Sequence, residues 1–349
     1  MITTLSDFNI RHLNTFRMDV SVGRLIEYTS ASDLPAIFSD MADQYYLSIG
    51  SGSNLLFLGD FPGIILHSRI LDVEMIDESE ETVLVRAGAG VEMDSLIAQT
   101  CQAGLWGLEN LSGIPGEVGA SAVQNVGAYG VEANDVIKEV ECYDSIEKRF
   151  ITIPVAECQY GYRTSVFKDP SNKGRYVITY VSFRLSRTPK PMLSYGDLKM
   201  RLNSGQGITP ENVRDTIIDI RKEKLPSVDL YGSAGSFFKN PIVSQTEYES
   251  FNKRVAAIFG CETAASAFKT ANGYKLSAAW LIDKAGLKGF SHKGAATWNT
   301  QPLVIVNMSG KASPSDVLDL EKIIVTRVQN LFGITLSPEV EHIYPTIQQ

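Results

Sequence analysis

Between Gly107 and Gly130, six of 24 residues are glycine, in a chain with 28 glycines among its 349 residues. Main chain this bare of side chains is laid close against something, with N–H donors open to a flat or charged ligand. Its centre, Leu111-Ser-Gly-Ile-Pro-Gly-Glu-Val-Gly119, spaces Gly113, Gly116 and Gly119 by three, and Gln124-Asn125 and Gly127-Ala-Tyr-Gly130 follow at once. A second bare turn, Gly50-Ser-Gly-Ser-Asn54, follows a strand pattern at 45–49, and its glycines and hydroxyls suit a phosphate. Two such segments within 80 residues favour a large, extended cofactor over a pair of plain turns.

The familiar nucleotide signatures are absent. Leu55 stands where G-x-G-x-x-G requires its third glycine, and Gly310-Lys311 lacks the upstream glycine of a phosphate-binding P-loop. A third small-residue cluster, Gly232-Ser-Ala-Gly-Ser236-Phe-Phe-Lys239-Asn240-Pro241, exposes a serine with no histidine beside it and no G-x-S-x-G elbow. A hydroxyl without a base suits donating a proton or hydrogen bond better than attacking.

Short apolar or β-branched runs at 45–49, 64–67, 83–86, 136–143, 149–153 and 176–185 read as strands. Helices are expected from Asp94, taken as cap, to Gln102, from Thr209-Pro210 to just before Pro226, and from the Ser244-x-x-Glu247 capping box to Gly260. Further helices are expected at Lys275–Lys284 and from Ser313-Pro-Ser-Asp316 to Gly333, with a closing strand near 340–344. The stretch 225–236, rich in turn-forming residues, marks a boundary. The order is α+β, in more than one domain.

Composition narrows the partners. Forty acidic against 32 basic residues give a net charge of −8, which disfavours a nucleic-acid partner. Apolar runs such as Gly63–Leu66 and Leu303–Val306 fall far short of a membrane span, and the first 13 residues carry no secretion signal. Four scattered cysteines and four scattered histidines offer no metal spacing. A soluble protein with reduced thiols and no metal is expected.

Taken in order, Asn14-Thr-Phe16, Gly50–Asn54, Gly107–Gly116, Val123–Glu132, Gly161-Tyr-Arg-Thr-Ser165, Gly232–Pro241 and Ser337-Pro-Glu-Val340 resemble the signatures of the UDP-N-acetylenolpyruvoylglucosamine reductases, the MurB family. The resemblance runs essentially the whole chain, and Ser194-Tyr195-Gly-Asp197 places it with the longer, first type. It implies a two-subdomain FAD-binding fold of the vanillyl-alcohol-oxidase (PCMH) type plus a C-terminal α+β substrate-binding domain. Residues 1–71 with a return at 333–349, 72–225, and 226–332 are the expected divisions. FAD, bound non-covalently, would be held by Gly50, Ser51, Gly52, Ser53, Asn54, Ser112, Gly113, Ile114, Gly116, Gly119, Gln124, Asn125 and Gly127, with Tyr162 as a neighbour.

The implied reaction makes UDP-N-acetylmuramate for peptidoglycan. NADPH, the co-substrate, reduces FAD, whose N5 then delivers hydride to the terminal enolpyruvyl carbon of UDP-N-acetylglucosamine enolpyruvate. Three residues carry the implied chemistry: Ser236 protonates the adjacent carbon, Arg163 faces the carboxylate, and Glu339 acts beside it as acid or orienter. Tyr195, Lys224 and Asn240 match positions that bind the nucleotide and diphosphate. A cytoplasmic monomer is expected.

Overall fold

The computed structural model describes residues 1–42, 44–202, 207–262, 266–270 and 273–345. Strands β1 (Ile2–Asn9) and β2 (Ser21–Tyr28) lead through helix α1 (Leu34–Met41) to β3 (Tyr46–Ile49), β4 (Leu55–Phe57) and β5 (Phe61–Ser68). Four of these form a sheet in the order β1-β2-β5-β3, in which β5 runs parallel to both neighbours. The bare turn 50–54 lies between β3 and β4.

A second sheet follows from β6 (Val73–Asp77) and β7 (Thr82–Gly88). Helices α2 (Met93–Gln102) and α3 (Val118–Gln124) and the small pair β8 (Gly127–Ala128) and β9 (Val131–Glu132) interrupt it. Strands β10 (Ile137–Asp144), β11 (Arg149–Pro154) and β12 (Tyr176–Ser186) then complete the antiparallel order β11-β10-β12-β7-β6. Helices α4 (Leu198–Arg201) and α5 (Pro210–Lys224) leave this body, α5 capped by Thr209 Oγ1 accepting from Asn212 N–H. Its buried stripe of Val213, Ile217 and Ile220 packs on Trp106 and Leu198.

The last third carries β13 (Gly232–Ser236), β14 (Ile242–Val243), α6 (Gln245–Phe259), β15 (Ala267–Thr270), β16 (Gly273–Leu276) and α7 (Ala278–Lys284). After them come β17 (Ser291–His292), β18 (Ala295–Thr297), β19 (Val304–Asn307), α8 (Pro314–Phe332) and β20 (Glu341–Ile343). Helix α8 opens at Ser313 as expected, there with a capping box to Asp316, and ends at Gly333 in the left-handed conformation. Its buried face of Val317, Leu320, Ile324, Val328 and Phe332 stabilises by about 1.5–3 kcal/mol per side chain.

Two features decide where a ligand can sit. One continuous core joins Val22, Leu25, Phe57 and Ile65 of the first sheet's region to Phe237, Phe251, Leu320 and Ile343 of the last third. The chain end then returns across the molecule, with β20 lying parallel to β4. The second sheet has its own core around Val85, Leu96, Val140 and Phe183. A cleft opens between the two bodies.

Two local expectations are corrected. The predicted helix at Lys275–Lys284 is strand 273–276 followed by helix 278–284. Tyr274 stacks on Tyr248 with ring centres 4.0 Å apart, and Ser277 caps α7 by accepting from Trp280 N–H. Asp94 is not the cap of α2; Glu92 holds that position. The Asp94 carboxylate instead pairs with Arg214 and accepts the Gly113 N–H. Burial pushes its pKa up, but those bonds outweigh burial and hold it below the usual carboxylate range.

Candidate active site

The cleft measures about 1270 Å³. One wall is the first bare turn, with Gly50, Gly52, Ser53 and Asn54; the facing wall is the start of α3, with Glu117, Gly119, Val123 and Gln124. Pro338–Glu341, on the returning chain end, closes one side, and Lys168 to Tyr176 of the second body supply most of another.

The two glycine segments touch. A Cβ at Gly116 would lie 3.0 Å from Ser53 Oγ, and one at Gly50 would lie 3.0 Å from the Glu117 carboxylate. Gly52, at φ +65°, sits so close to the preceding chain that its Cβ would stand 2.2 Å from the Leu13 carbonyl oxygen. Main-chain bonds from Met93 N–H to Gly116 O and from Gly119 N–H to Ala89 O fix the second segment on the body behind it. Ser51 Oγ, between the cleft-lining Gly50 and Gly52, is buried without a hydrogen-bond partner among the described residues. Bare backbone, clustered hydroxyls and one orphaned donor fit the pyrophosphate of a dinucleotide.

A charged group gathers beside this cleft. Arg163 occupies a left-handed conformation (φ +57°) in the 161–164 turn, strain of about 1 kcal/mol that aims its guanidinium inward. Its Nε donates to Glu339 Oε1 at 2.6 Å, and its Nη1 and Nη2 donate to the carbonyls of Asn125 at 3.2 Å and Gly127 at 3.0 Å. Glu339 also accepts from Gln124 Nε2 at 3.3 Å, while Gln124 Oε1 accepts from Lys168 Nζ at 2.6 Å. The Glu339 N–H donates to the Phe237 carbonyl at 2.8 Å, which places exposed Ser236 one residue from the group. Asn54 donates to the Glu339 carbonyl at 3.2 Å, tying the first bare turn to the same residue.

Two lysines absent from the sequence reading belong here. Lys275 Nζ lies 3.8 Å from the centre of the Tyr162 ring, and Arg163 Cζ lies 5.5 Å from it. Burial first, then the Arg163 charge, lowers the Lys275 pKa; burial likewise lowers that of Lys168. Burial, then the Glu339 charge, raises that of Tyr162. Lys275 escaped notice because its segment reads as helix; Ser277 as a cap, with Gly273 before it, was the signal for a strand ending at Leu276. Lys168 carries no local signature, since only the fold brings it to Gln124.

Not every predicted residue turns toward the cleft. Ser112 Oγ donates to the Glu109 carbonyl, and Asn125 Nδ2 donates to Glu132 and to Gly161 O, so these side chains brace the loop. Gly113 packs against Ile218 and Arg221 of α5, and Arg221 donates to its carbonyl at 3.1 Å. Ile114 packs into the second core, and the Gly127 carbonyl holds Arg163. Tyr195 and Lys224 lie on a separate exposed patch, with Lys224 Nζ 3.8 Å from Asp197 and Tyr195 edge-on to Tyr129. Asn240 Oδ1 accepts from Ala278 N–H at the head of α7.

Residues 226–343 match the family model described as UDP-N-acetylenolpyruvoylglucosamine reductase, C-terminal domain, and residues 24–147 match an FAD binding domain. Over 331 residues the chain is 44% identical to a UDP-N-acetylenolpyruvoylglucosamine reductase of Bacteroides fragilis, covering 95% of this chain and 97% of that one. This chain belongs to the UDP-N-acetylenolpyruvoylglucosamine reductase family. The reductase of Alcanivorax borkumensis is 37% identical, over 97% of this chain and 95% of its own. The crystal structure of the Thermus caldophilus reductase (MurB) aligns with a TM-score of 0.66 at 23% identity, covering 98% of this chain and 99% of that one. That likeness carries the fold. The α+β architecture and the FAD-binding domain expected from the sequence are therefore both present.

Proposed function

We propose that the chain reduces UDP-N-acetylglucosamine enolpyruvate to UDP-N-acetylmuramate for peptidoglycan synthesis, with NADPH as reductant, as a cytoplasmic monomer. Among the described residues no helix is long and apolar enough to cross a membrane. The observation that carries the proposal is Arg163, fixed by Glu339, beside a cleft walled by two bare turns. Among the described residues neither histidine nor cysteine lines that cleft, which supports a non-covalent FAD. In this reading residues 1–71 with 333–349 and residues 72–225 form the two FAD-binding subdomains, and 226–332 bind the substrate.

Bound FAD would supply hydride chemistry, taking hydride from NADPH and passing it to the terminal enolpyruvyl carbon. The chain's own residues would do the rest. An enol ether resists nucleophilic addition, because its oxygen already donates electron density, so charge must be drawn toward the carboxylate. Arg163 is suited to that: its charge is permanent and its fork meets two oxygens. Glu339 orients it through Nε, and Lys275 adds a second cation nearby. Ser236 would then donate its proton to the adjacent carbon; a hydroxyl is a weak acid, but an enolate is a strong enough base. Tyr195, Lys224 and Asn240 would hold the nucleotide and diphosphate.

The test is product formation. NADPH oxidation should depend strictly on the enolpyruvyl sugar nucleotide and yield a product two hydrogens heavier by mass spectrometry. Ligand binding without turnover would reduce the chain to a binding protein. Within the same assay Arg163→Lys should lower kcat about 100-fold, because the ammonium keeps charge but loses the fork held by Glu339 and two carbonyls. An unchanged kcat would remove Arg163 from the chemistry.

A further inference from the structure

His67, on β5, is 1% exposed and lies between two carboxylates from different parts of the fold. Its Nδ1 is 2.9 Å from Glu27 Oε1, on the neighbouring strand β2, where Glu27 and His67 are register partners. Its Nε2 is 3.0 Å from Glu117 Oε1. Glu117 is the residue before α3, follows Gly116 directly, and lines the cleft opposite Gly50. None of these three residues belongs to the group around Arg163.

A neutral imidazole has one N–H, so it can donate to only one of two flanking carboxylates; the other nitrogen would point a lone pair at an anion. With both carboxylates ionised, both short contacts are satisfied together only when both nitrogens carry protons. We propose that His67 is a positioning residue for FAD: as an imidazolium it bridges Glu27 and Glu117, seating the Gly116–Gly119 segment on the first sheet and offsetting the Glu117 charge at the cleft wall. The proposal rests on the reading of that cleft as the FAD site.

Burial pulls the His67 pKa down, yet the hydrogen bond and charge of Glu117, and then those of Glu27, outweigh it and leave it raised. Glu92 is the bridge partner of Glu117, and Tyr28 on β2, which couples to Glu117, has its phenol driven far upward by burial and stays neutral. A raised folded-state pKa means the bridge is complete at low pH and is lost as pH rises through that value. Cofactor affinity falls in the same direction.

The experiment measures FAD affinity of the full chain by quenching of flavin fluorescence, from about pH 6 to 9 at fixed salt, for wild type, His67→Gln and Glu117→Gln. Imidazole NMR of the same proteins follows His67 itself. Wild type should bind about tenfold more weakly at the top of the range, with the midpoint of the His67 titration, as expected for losing one charge-assisted hydrogen bond. His67→Gln should bind at the weak level throughout, and Glu117→Gln should move the midpoint to lower pH. If His67→Gln misfolds, the shift in Glu117→Gln decides. Equal pH profiles in wild type and His67→Gln, or an unmoved midpoint in Glu117→Gln, would overturn the proposal. No FAD binding at any pH would overturn the cofactor reading and this inference with it; pH-independent binding overturns the inference alone.

Discussion

Replacing Ser236 by alanine should leave bleaching of the flavin by NADPH nearly unchanged while slowing its recolouring by the enolpyruvyl substrate by roughly three to four orders of magnitude. The split follows from position. Ser236 is exposed at the end of β13, one residue from the carbonyl that holds the Glu339 N–H, and it takes no part in the walls of the glycine cleft. In the proposed role its loss would remove the proton donor while leaving the residues that wall the cleft in place. Rapid-mixing absorbance of the two half-reactions measures it, and equal slowing in both would give Ser236 a structural role instead.

The second large effect is on the turn that would carry the pyrophosphate. Gly52→Ala should cost about 3 kcal/mol of stability, against about 1 kcal/mol for Gly104→Ala. Both positions have positive φ, but nothing lies within 4 Å of a Cβ at Gly104, whereas at Gly52 it would strike Leu13 O at 2.2 Å. The struck chain cannot retreat. Buried Asn14 donates to Ile10 O and Met18 O and accepts the Met18 N–H, which locks that segment in place. Urea unfolding of the two variants at comparable slope reads the difference; equal, small losses would mean the turn is not seated as described.

How much of this the sequence displayed depends on the range of the interaction. Local signals gave the capping box at Ser244, the starts of α5 at Thr209-Pro210 and of α8 at Ser313, and the strands at 83–86 and 176–185, because caps and alternation act over a few residues. Strand β1 and its partner β2 escaped, since β1 is a largely exposed edge whose alternation is faint, and its partner fixes it. Helix α3 was also hidden: residues 118–124 follow Gly113 and Gly116 and contain Gly119, and main-chain bonds to Ala89 and Val91 hold its start.

The candidate site divides the same way. Gly50, Gly52 and Gly116 were legible as bare backbone and Ser236 as an exposed hydroxyl without a base, but Arg163 and Glu339 only through ordered blocks matching a family. Glu339 and Arg163 are 176 positions apart, and no local pattern predicts that bond. Lys168, Lys275 and the His67 bridge became visible only when segments far apart in sequence came together. Asp94 shows the converse error: a good cap residue in sequence is taken by a stronger partner, Arg214, from α5.

An anaerobic titration of the FAD-loaded protein puts the whole account at risk in a single cuvette. One equivalent of NADPH should bleach the flavin's visible absorbance, and one equivalent of UDP-N-acetylglucosamine enolpyruvate should restore it with UDP-N-acetylmuramate as the product. A flavin that never binds, or that bleaches and stays bleached when the enolpyruvyl compound is added, would contradict the assignment of the glycine-walled cleft and its Arg163–Glu339 group to this reaction.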